Sequence, residues 1–101
     1  LLDNYCKEKN ISRIDVLKID VEGSEIEVLE GGVDILKNTN IIQIEIFDTK
    51  KLQEEKVNKI KLMLFKLDFE LKKIKPTWSS QQMSNTKSAD ALFVRKKISD
   101  F

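Results

Sequence analysis

Histidine is absent from this chain of 101 residues, and cysteine occurs once, as Cys6. Without histidine, the chain has no Ser-His or Cys-His nucleophile and lacks the ligand of most zinc sites. A single cysteine excludes an internal disulfide and any multi-cysteine metal site. Any chemistry here therefore depends on carboxylates, lysines, hydroxyl groups or a bound cofactor.

An excess of charge of either sign is also lacking, because 18 Lys and Arg residues balance 17 Asp and Glu residues to a net charge of +1. This balance provides no strong field for nucleic acid or an anionic membrane, and we expect neither as a partner. No apolar run approaches the roughly 20 residues that a membrane span needs, and no signal-peptide pattern opens the chain. We therefore expect no membrane span and a cytoplasmic location.

What the chain does have is apolar material for one core, since 41% of its residues are hydrophobic, and a length that allows one domain. Its apolar periodicity predicts alternating helices and strands. The helices are predicted at 2–9, 24–37 and 48–67, and the strands at 14–21, 41–47, 69–74 and 91–95. This order predicts an α/β fold with a mostly parallel sheet and a last strand that is antiparallel to the one before it.

Two carboxylates stand at the end of the first predicted strand, in the stretch "VLKIDVEG". Ligands of open α/β sheets bind beyond the carboxyl ends of the parallel strands. Asp20 and Glu22 point the same way if the strand stays extended, and Gly23 permits a sharp turn that leaves room for a ligand. Asp20 is favoured as functional, whereas Glu22 also stands where a helix dipole favours a negative charge.

Two further candidates lie near the carboxyl ends of later strands of the predicted sheet. Glu45 lies within the apolar run "IQIEIF", where a carboxylate needs partners, either structural ones or a substrate. Trp78 lies in the polar loop "PTWSSQQMSNTKS". Its ring either folds back onto the core or offers a flat platform for a sugar or another ring. Glu45 and Trp78 are thus the substrate-binding candidates.

The helix predicted at 24–37 contains residues with structural interpretations. Ser24 and Glu27 form the S-x-x-E pattern of a capping box. Gly31 and Gly32 lie inside the helix, where glycine is unfavourable by about 1 kcal/mol relative to alanine. Close packing of this helix on the sheet is the expected reason for both glycines.

The strand predicted at 14–21 is apolar on both faces, which indicates a central strand covered on both sides. No earlier segment of the sequence supplies it with a neighbouring strand, and an open apolar edge invites pairing with another chain. We therefore expect this edge to be covered by a further N-terminal half of the domain or by an oligomer.

The stretch "LDNYCKEKNISRIDVLKIDVEGSEIEVLEGG", followed by "IIQIEIF", resembles the C-terminal half of FkbM-type methyltransferases. "LKIDVEGSE" is its most specific part, and "ADALFVRK" resembles the last strand of that family. The resemblance implies a Rossmann-like sheet and S-adenosylmethionine as cofactor. It also implies that residues 1–101 form a single partial domain with the fourth to seventh strands, without the N-terminal half that holds most of the cofactor.

By this resemblance, the expected reaction is methyl transfer to a hydroxyl of a sugar or small-molecule acceptor. Asp20 and Glu22 are the expected catalytic residues, Asp20 and Gly23 lie beside the cofactor, and Glu45 supports them. The acids can also hold magnesium with water, although the sequence demands no metal. The alternative is a catalytically silent α/β fragment or a protein-interaction module. "LKID" also occurs in EAL-type barrels, but this chain is too short to close one.

Overall fold

The computed structural model describes residues 1–49, 53–77 and 86–96. In this part the chain forms four helices and four strands. They are α1 (Leu2–Glu8), β1 (Ile14–Ile19), α2 (Glu25–Glu30), α3 (Val33–Leu36), β2 (Thr39–Thr49), α4 (Gln53–Lys66), β3 (Phe69–Thr77) and β4 (Thr86–Arg95). None of the helices in these ranges is long and apolar enough to cross a membrane.

The strands form one mixed sheet in the order β1-β2-β4-β3. β1 and β2 are parallel, whereas β4 is antiparallel to both β2 and β3. The α/β fold and the antiparallel last strand are confirmed, but the prediction of a mostly parallel sheet is wrong. The reason is that β4 lies between β2 and β3, so it replaces the parallel pairing those two strands would otherwise make.

The core lies between one face of this sheet and the helices. β2 supplies its centre, because Ile42, Ile44 and Ile46 are fully buried while the alternate residue Gln43 is exposed. This alternation is the period of two that places successive side chains on opposite faces of a strand. The other buried core residues are Ile19, Leu29, Leu36, Ile60, Leu64, Phe69, Ala91 and Phe93.

Within the described ranges β1 lies at one edge of the sheet, and the central position predicted for it, which needs a neighbouring strand from a further N-terminal half, stays a prediction. Ile19 is buried and Leu17 packs against the core, but Val16 on the other face is 58% exposed. In the described ranges β2 is the single strand paired with β1.

The helix predicted at 24–37 is two short helices that separate at Gly31 and Gly32. A Cβ atom on Gly31 would lie 2.9 Å from Leu1 Cδ2, and one on Gly32 would lie 2.7 Å from Leu2 Cδ2. The glycines therefore permit close packing, as predicted, but the contact is with the start of the chain and not with the sheet. Asp3 fixes this contact, because its carboxylate accepts hydrogen bonds from two amides at the start of α3, at 3.0 and 2.8 Å.

Candidate active site at the carboxyl edge of the sheet

The turn after β1 adopts an uncommon backbone conformation. β1 ends at Ile19, and Glu22 and Gly23 have φ angles of +42° and +110°. Positive φ is accessible to glycine but strained for a residue with a Cβ. The strand is thus not extended as far as Glu22, so the premise that aligned its side chain with Asp20 is wrong. Asp20, Glu22 and Gly23 are all exposed at the end of the strand.

Glu45 stands at the same edge on the neighbouring strand. Ile19 pairs with Ile44, so Asp20 and Glu45 are the next residues along the two parallel strands. Because Ile44 and Ile46 face the helices, the alternation of side chains places Glu45 on the opposite, open face. The partly buried Glu45 is therefore beside Asp20, as the sequence predicted.

Asp90 is a further acid of this site that the sequence did not reveal. It lies opposite Glu45 in the register of β2 and β4, and it also pairs with Lys75 of β3. The fragment "SADAL" gives no sign of this position, because the register of an antiparallel strand cannot be read from its own residues.

The carboxylates change the proton affinity of Glu45. Burial and the negative charges of Asp20 and Asp90 raise the pKa of Glu45, with a smaller contribution from Glu22, against a hydrogen bond from Ser88 that lowers it. Both desolvation and like charges disfavour the ionised form of a carboxyl group. The neutral form of the Glu45 carboxyl group is therefore favoured more than in an isolated glutamate.

A buried ion pair lies directly beneath the turn. The side chain of Glu25 is fully buried, and its Oε1 lies 2.8 Å from Nζ of Lys56. Glu25 also accepts hydrogen bonds from the amides of Gly23 and Phe47. The sequence did not reveal this pair, because Glu25 in the first turn of a helix and Lys56 in a charged helix are typical of exposed positions.

Ser24 was predicted to cap α2 through its side chain, together with Glu27, and this prediction is wrong. The Ser24 side chain makes no capping hydrogen bond. Its φ and ψ of −103° and 24° differ from the extended conformation of a typical N-cap residue. The amide of Gly23 is instead bound by Glu25, so this turn is held by a buried carboxylate and not by a capping box.

A shallow groove of about 310 Å³ adjoins the acids on the sheet. Its lining residues are Gln43, Lys73, Lys75, Asp90, Ala91 and Leu92. Trp78, the other predicted contact of the substrate, lies outside the described residues. Within the ranges 1–49, 53–77 and 86–96, no group of three His, Cys, Asp or Glu residues is arranged to hold a metal ion.

Residues 2–71 match the family model of the methyltransferase FkbM domain. The chain belongs to the FkbM methyltransferase family. A curated relative, the 2-O-methyltransferase NoeI of Sinorhizobium fredii, is 38% identical over 47 residues, which are 46% of this chain and 19% of the relative. The FkbM chain therefore spans a small part of that enzyme.

The fold of this FkbM chain is also similar to a solved structure, the crystal structure of M. jannaschii TYW2 in complex with AdoMet. The TM-score is 0.57 at 12% sequence identity, over 87% of this chain and 43% of the other. At this identity the similarity shows the fold, and it extends over less than half of the TYW2 chain. The Rossmann-like fold implied by the sequence is thereby supported.

Family membership supports S-adenosylmethionine as the cofactor, and the described residues fit its chemistry. The cofactor carries a positively charged sulfonium centre, and the edge formed by Asp20, Glu22 and Glu45 presents negative charge. A Cβ atom on Gly23 would meet no other atom within 4 Å, so there is open space above the turn. The negative charge and the open space both lie at the end of β1, so they would serve the part of the cofactor next to that strand.

Proposed function

We propose that this chain forms the acceptor side of an S-adenosylmethionine-dependent O-methyltransferase that acts on a hydroxyl of a sugar or another small molecule. The main support is that Asp20 and Glu45, at the ends of two neighbouring parallel strands, are close enough for the charge of Asp20 to raise the pKa of Glu45. In open α/β sheets, this edge of the parallel strands is where ligands bind.

In the proposed reaction, S-adenosylmethionine supplies the methyl group when bound. Asp20 orients the acceptor hydroxyl and takes its proton as the new oxygen–carbon bond forms. Burial and the charges of Asp20 and Asp90 raise the pKa of Glu45, and its carboxyl group, when protonated, would donate a hydrogen bond to the acceptor. Glu22 adds negative charge at the same edge. Most of the rate enhancement in such a displacement comes from the positioning of the two reactants.

The groove on the open face is the proposed place of the acceptor. Gln43, Lys73 and Lys75 line it together with Asp90, so donors and acceptors of hydrogen bonds surround it. A hydroxyl-rich molecule is well suited to such a surface. The name of the relative from Sinorhizobium fredii, a 2-O-methyltransferase, agrees with a hydroxyl acceptor.

We also propose that residues 1–101 form the fourth to seventh strands of the methyltransferase sheet. Support comes from the order β1-β2-β4-β3, in which the last strand is inserted between its predecessors, and from the match to 43% of the TYW2 chain. Asp20 and Gly23 then contact one side of the cofactor. Residues beyond those described here hold the rest of it.

A protein-interaction module is the second candidate, and the edge of β1 is the observation that favours it. Val16 of β1 is 58% exposed, and Val21, two residues after the end of β1, is 40% exposed. Exposed apolar edge strands can add a strand from a partner. This role predicts binding of a partner without any affinity for S-adenosylmethionine.

The test is a methyl-transfer assay with labelled S-adenosylmethionine and acceptors that offer either a hydroxyl or an amine on the same sugar scaffold. It compares the chain itself with a version extended upstream of Leu1 by the genomic sequence. We expect transfer to hydroxyl acceptors by the extended version, and calorimetric binding of S-adenosylmethionine that is stronger than for the chain itself. Transfer to amines only, or no binding by either version, would contradict the proposal.

A further inference from the structure

We propose that Glu25 and Lys56 form a positioning pair that fixes the turn at Glu22 and Gly23 against the end of β2, and thereby sets the separation between Asp20 and Glu45. This inference rests on the proposed function, because it assigns the pair a role in that same site. Neither residue is placed in contact with the substrate.

The pair forms hydrogen bonds with the backbone amide and the backbone carbonyl oxygen of two residues in separate segments, Gly23 and Phe47. Glu25 accepts from the amide of Gly23 and, at 3.0 Å, from the amide of Phe47. Lys56 Nζ donates to the carbonyl oxygens of the same two residues, at 3.2 Å for Gly23 and 2.7 Å for Phe47. The turn after β1 and the end of β2 are therefore held together by one carboxylate and one ammonium group.

The hydrogen-bonding capacity of the ammonium group is fully used. Lys56 has three N–H donors, which match its contacts with Glu25, Gly23 and Phe47. Asp48 adds a second carboxylate at 3.9 Å. The Lys56 side chain is only 10% exposed and that of Glu25 is fully buried, so the ion pair competes little with water, whereas the bond from Lys56 to the carbonyl oxygen of Gly23 is exposed.

Stability alone does not explain such a pair. Replacing a buried ion pair with apolar residues of similar volume is often neutral or stabilising, because burial of two charges is unfavourable. What an apolar pair cannot do is hold specific backbone groups. Here those groups belong to Gly23, whose neighbour Glu22 has a φ of +42°, and strained backbone persists where surrounding contacts determine it.

The held segments are the ones that carry the candidate site. Gly23 follows Asp20 by three residues, and Phe47 follows Glu45 by two. A shift of about 1 Å in reacting groups can lower a rate on the order of 10²-fold. The pair therefore acts on the reaction through the geometry of the carboxylates.

The experiment compares two double variants of the extended protein. Glu25→Met with Lys56→Met removes the pair and keeps similar side-chain volume. Glu27→Met with Lys59→Met is the matched control, because both residues are exposed on the same two helices. Amide hydrogen exchange at Gly23 and Phe47, the NMR titration of Glu45 and methyl transfer are measured for each.

For the pair variant, we expect faster exchange at both amides, a pKa of Glu45 closer to its ordinary value, and a kcat lower by about 10²-fold with a smaller change in KM. The control should match the parent protein in all three. Unchanged exchange in a folded pair variant would overturn the inference, and so would faster exchange with an unchanged pKa of Glu45 and unchanged turnover.

The NMR readouts keep this inference separate from the proposed function. If the parent protein transfers no methyl group, the proposed function fails, and the exchange and titration results still decide whether the pair fixes the turn. If the double variant does not fold, Glu25→Gln replaces it. Glutamine keeps an acceptor for Phe47 but not for Gly23, so exchange should rise at Gly23 alone, and equal exchange at both would overturn the assignment.

Discussion

Glu45 of β2 lies directly opposite Asp90 of β4, so two carboxylates face each other across an antiparallel pair. Like charges in this arrangement destabilise a sheet. The negative charges of Asp20 and Asp90, together with burial, raise the pKa of Glu45. A cluster of this kind opposes folding, and such arrangements are concentrated at functional sites.

Glu45→Gln should stabilise the protein, and increasingly so as the pH rises. The pKa of Glu45 in the folded protein is raised above its ordinary value of 4.5. Between those two pKa values the folded state binds more protons than the unfolded state, so the free energy of unfolding falls as the pH rises. Glutamine removes this dependence. Urea unfolding of both proteins from pH 4 to pH 8 measures the difference.

Glu30→Gln on the exposed side of α2 is the control for this series. Its free energy of unfolding should follow that of the parent protein across the pH range. A difference between Glu45→Gln and the parent that stays constant with pH would show that the charge of Glu45 is not opposed by its neighbours.

Asp90→Asn tests the cross-strand contact from the other side. Removal of this charge should lower the pKa of Glu45 toward its ordinary value, because Asp90 is one of the charges that raise it. It should also increase the free energy of unfolding at neutral pH by about 0.2–1 kcal/mol, the usual contribution of a cross-strand pair. NMR of the side-chain carboxyl carbon of Glu45 gives the first quantity. An unmoved titration would place Asp90 outside the cluster.

Gly31→Ala and Gly32→Ala should change the free energy of unfolding by different amounts or in different directions, although the two residues are adjacent. A Cβ on Gly31 meets the end of Leu1, which is 83% exposed and free to move. A Cβ on Gly32 meets three atoms of the less exposed Leu2, so Gly32→Ala should reduce the free energy of unfolding by about 1–3 kcal/mol. Thermal unfolding compares the two. Equal losses for the two variants would contradict the tighter constraint at Gly32.

Arg95→Lys should destabilise the fold without changing the acidic site. The guanidinium group donates to the carbonyl oxygens of Thr39 at 2.8 Å and Leu67 at 3.1 Å, and also to that of Leu36. A lysine cannot reproduce this planar set of three donors, so we expect the free energy of unfolding to fall by roughly 2–3 kcal/mol. Arg13→Lys at an exposed ion pair is the control and should change stability by less than about 1 kcal/mol. Similar losses for both variants would contradict this role.

The sequence predicted the elements of the fold better than their arrangement. Apolar periodicity located at least part of each strand in the described ranges, because a buried strand face imposes that pattern on its residues. It did not show that β4 lies between β2 and β3, since a strand pairs through backbone groups that are the same for every residue. It also extended the first strand to Val21, where a left-handed Glu22 ends any regular continuation.

The candidate site was also predicted only in part, because some of its residues depend on the register and packing of the fold. Asp20 and Glu45 were found because carboxylates at the ends of apolar strands are conspicuous. Asp90 was missed because its position depends on the register of β4. The pair formed by Glu25 and Lys56 was missed because charged residues on helices are ordinarily solvated, and only the folded chain shows that both are buried.

The most direct test of the proposed site is the turnover of Asp20→Asn in the extended protein, with Asp15→Asn as the control on the same segment. Asp15 is an exposed carboxylate within β1. If Asp20 takes the proton of the acceptor hydroxyl, kcat should fall by about 10²–10⁴-fold. The affinity for S-adenosylmethionine should be mostly kept, and Asp15→Asn should match the parent protein. Unchanged turnover of Asp20→Asn would contradict the assignment of the active site to the end of β1.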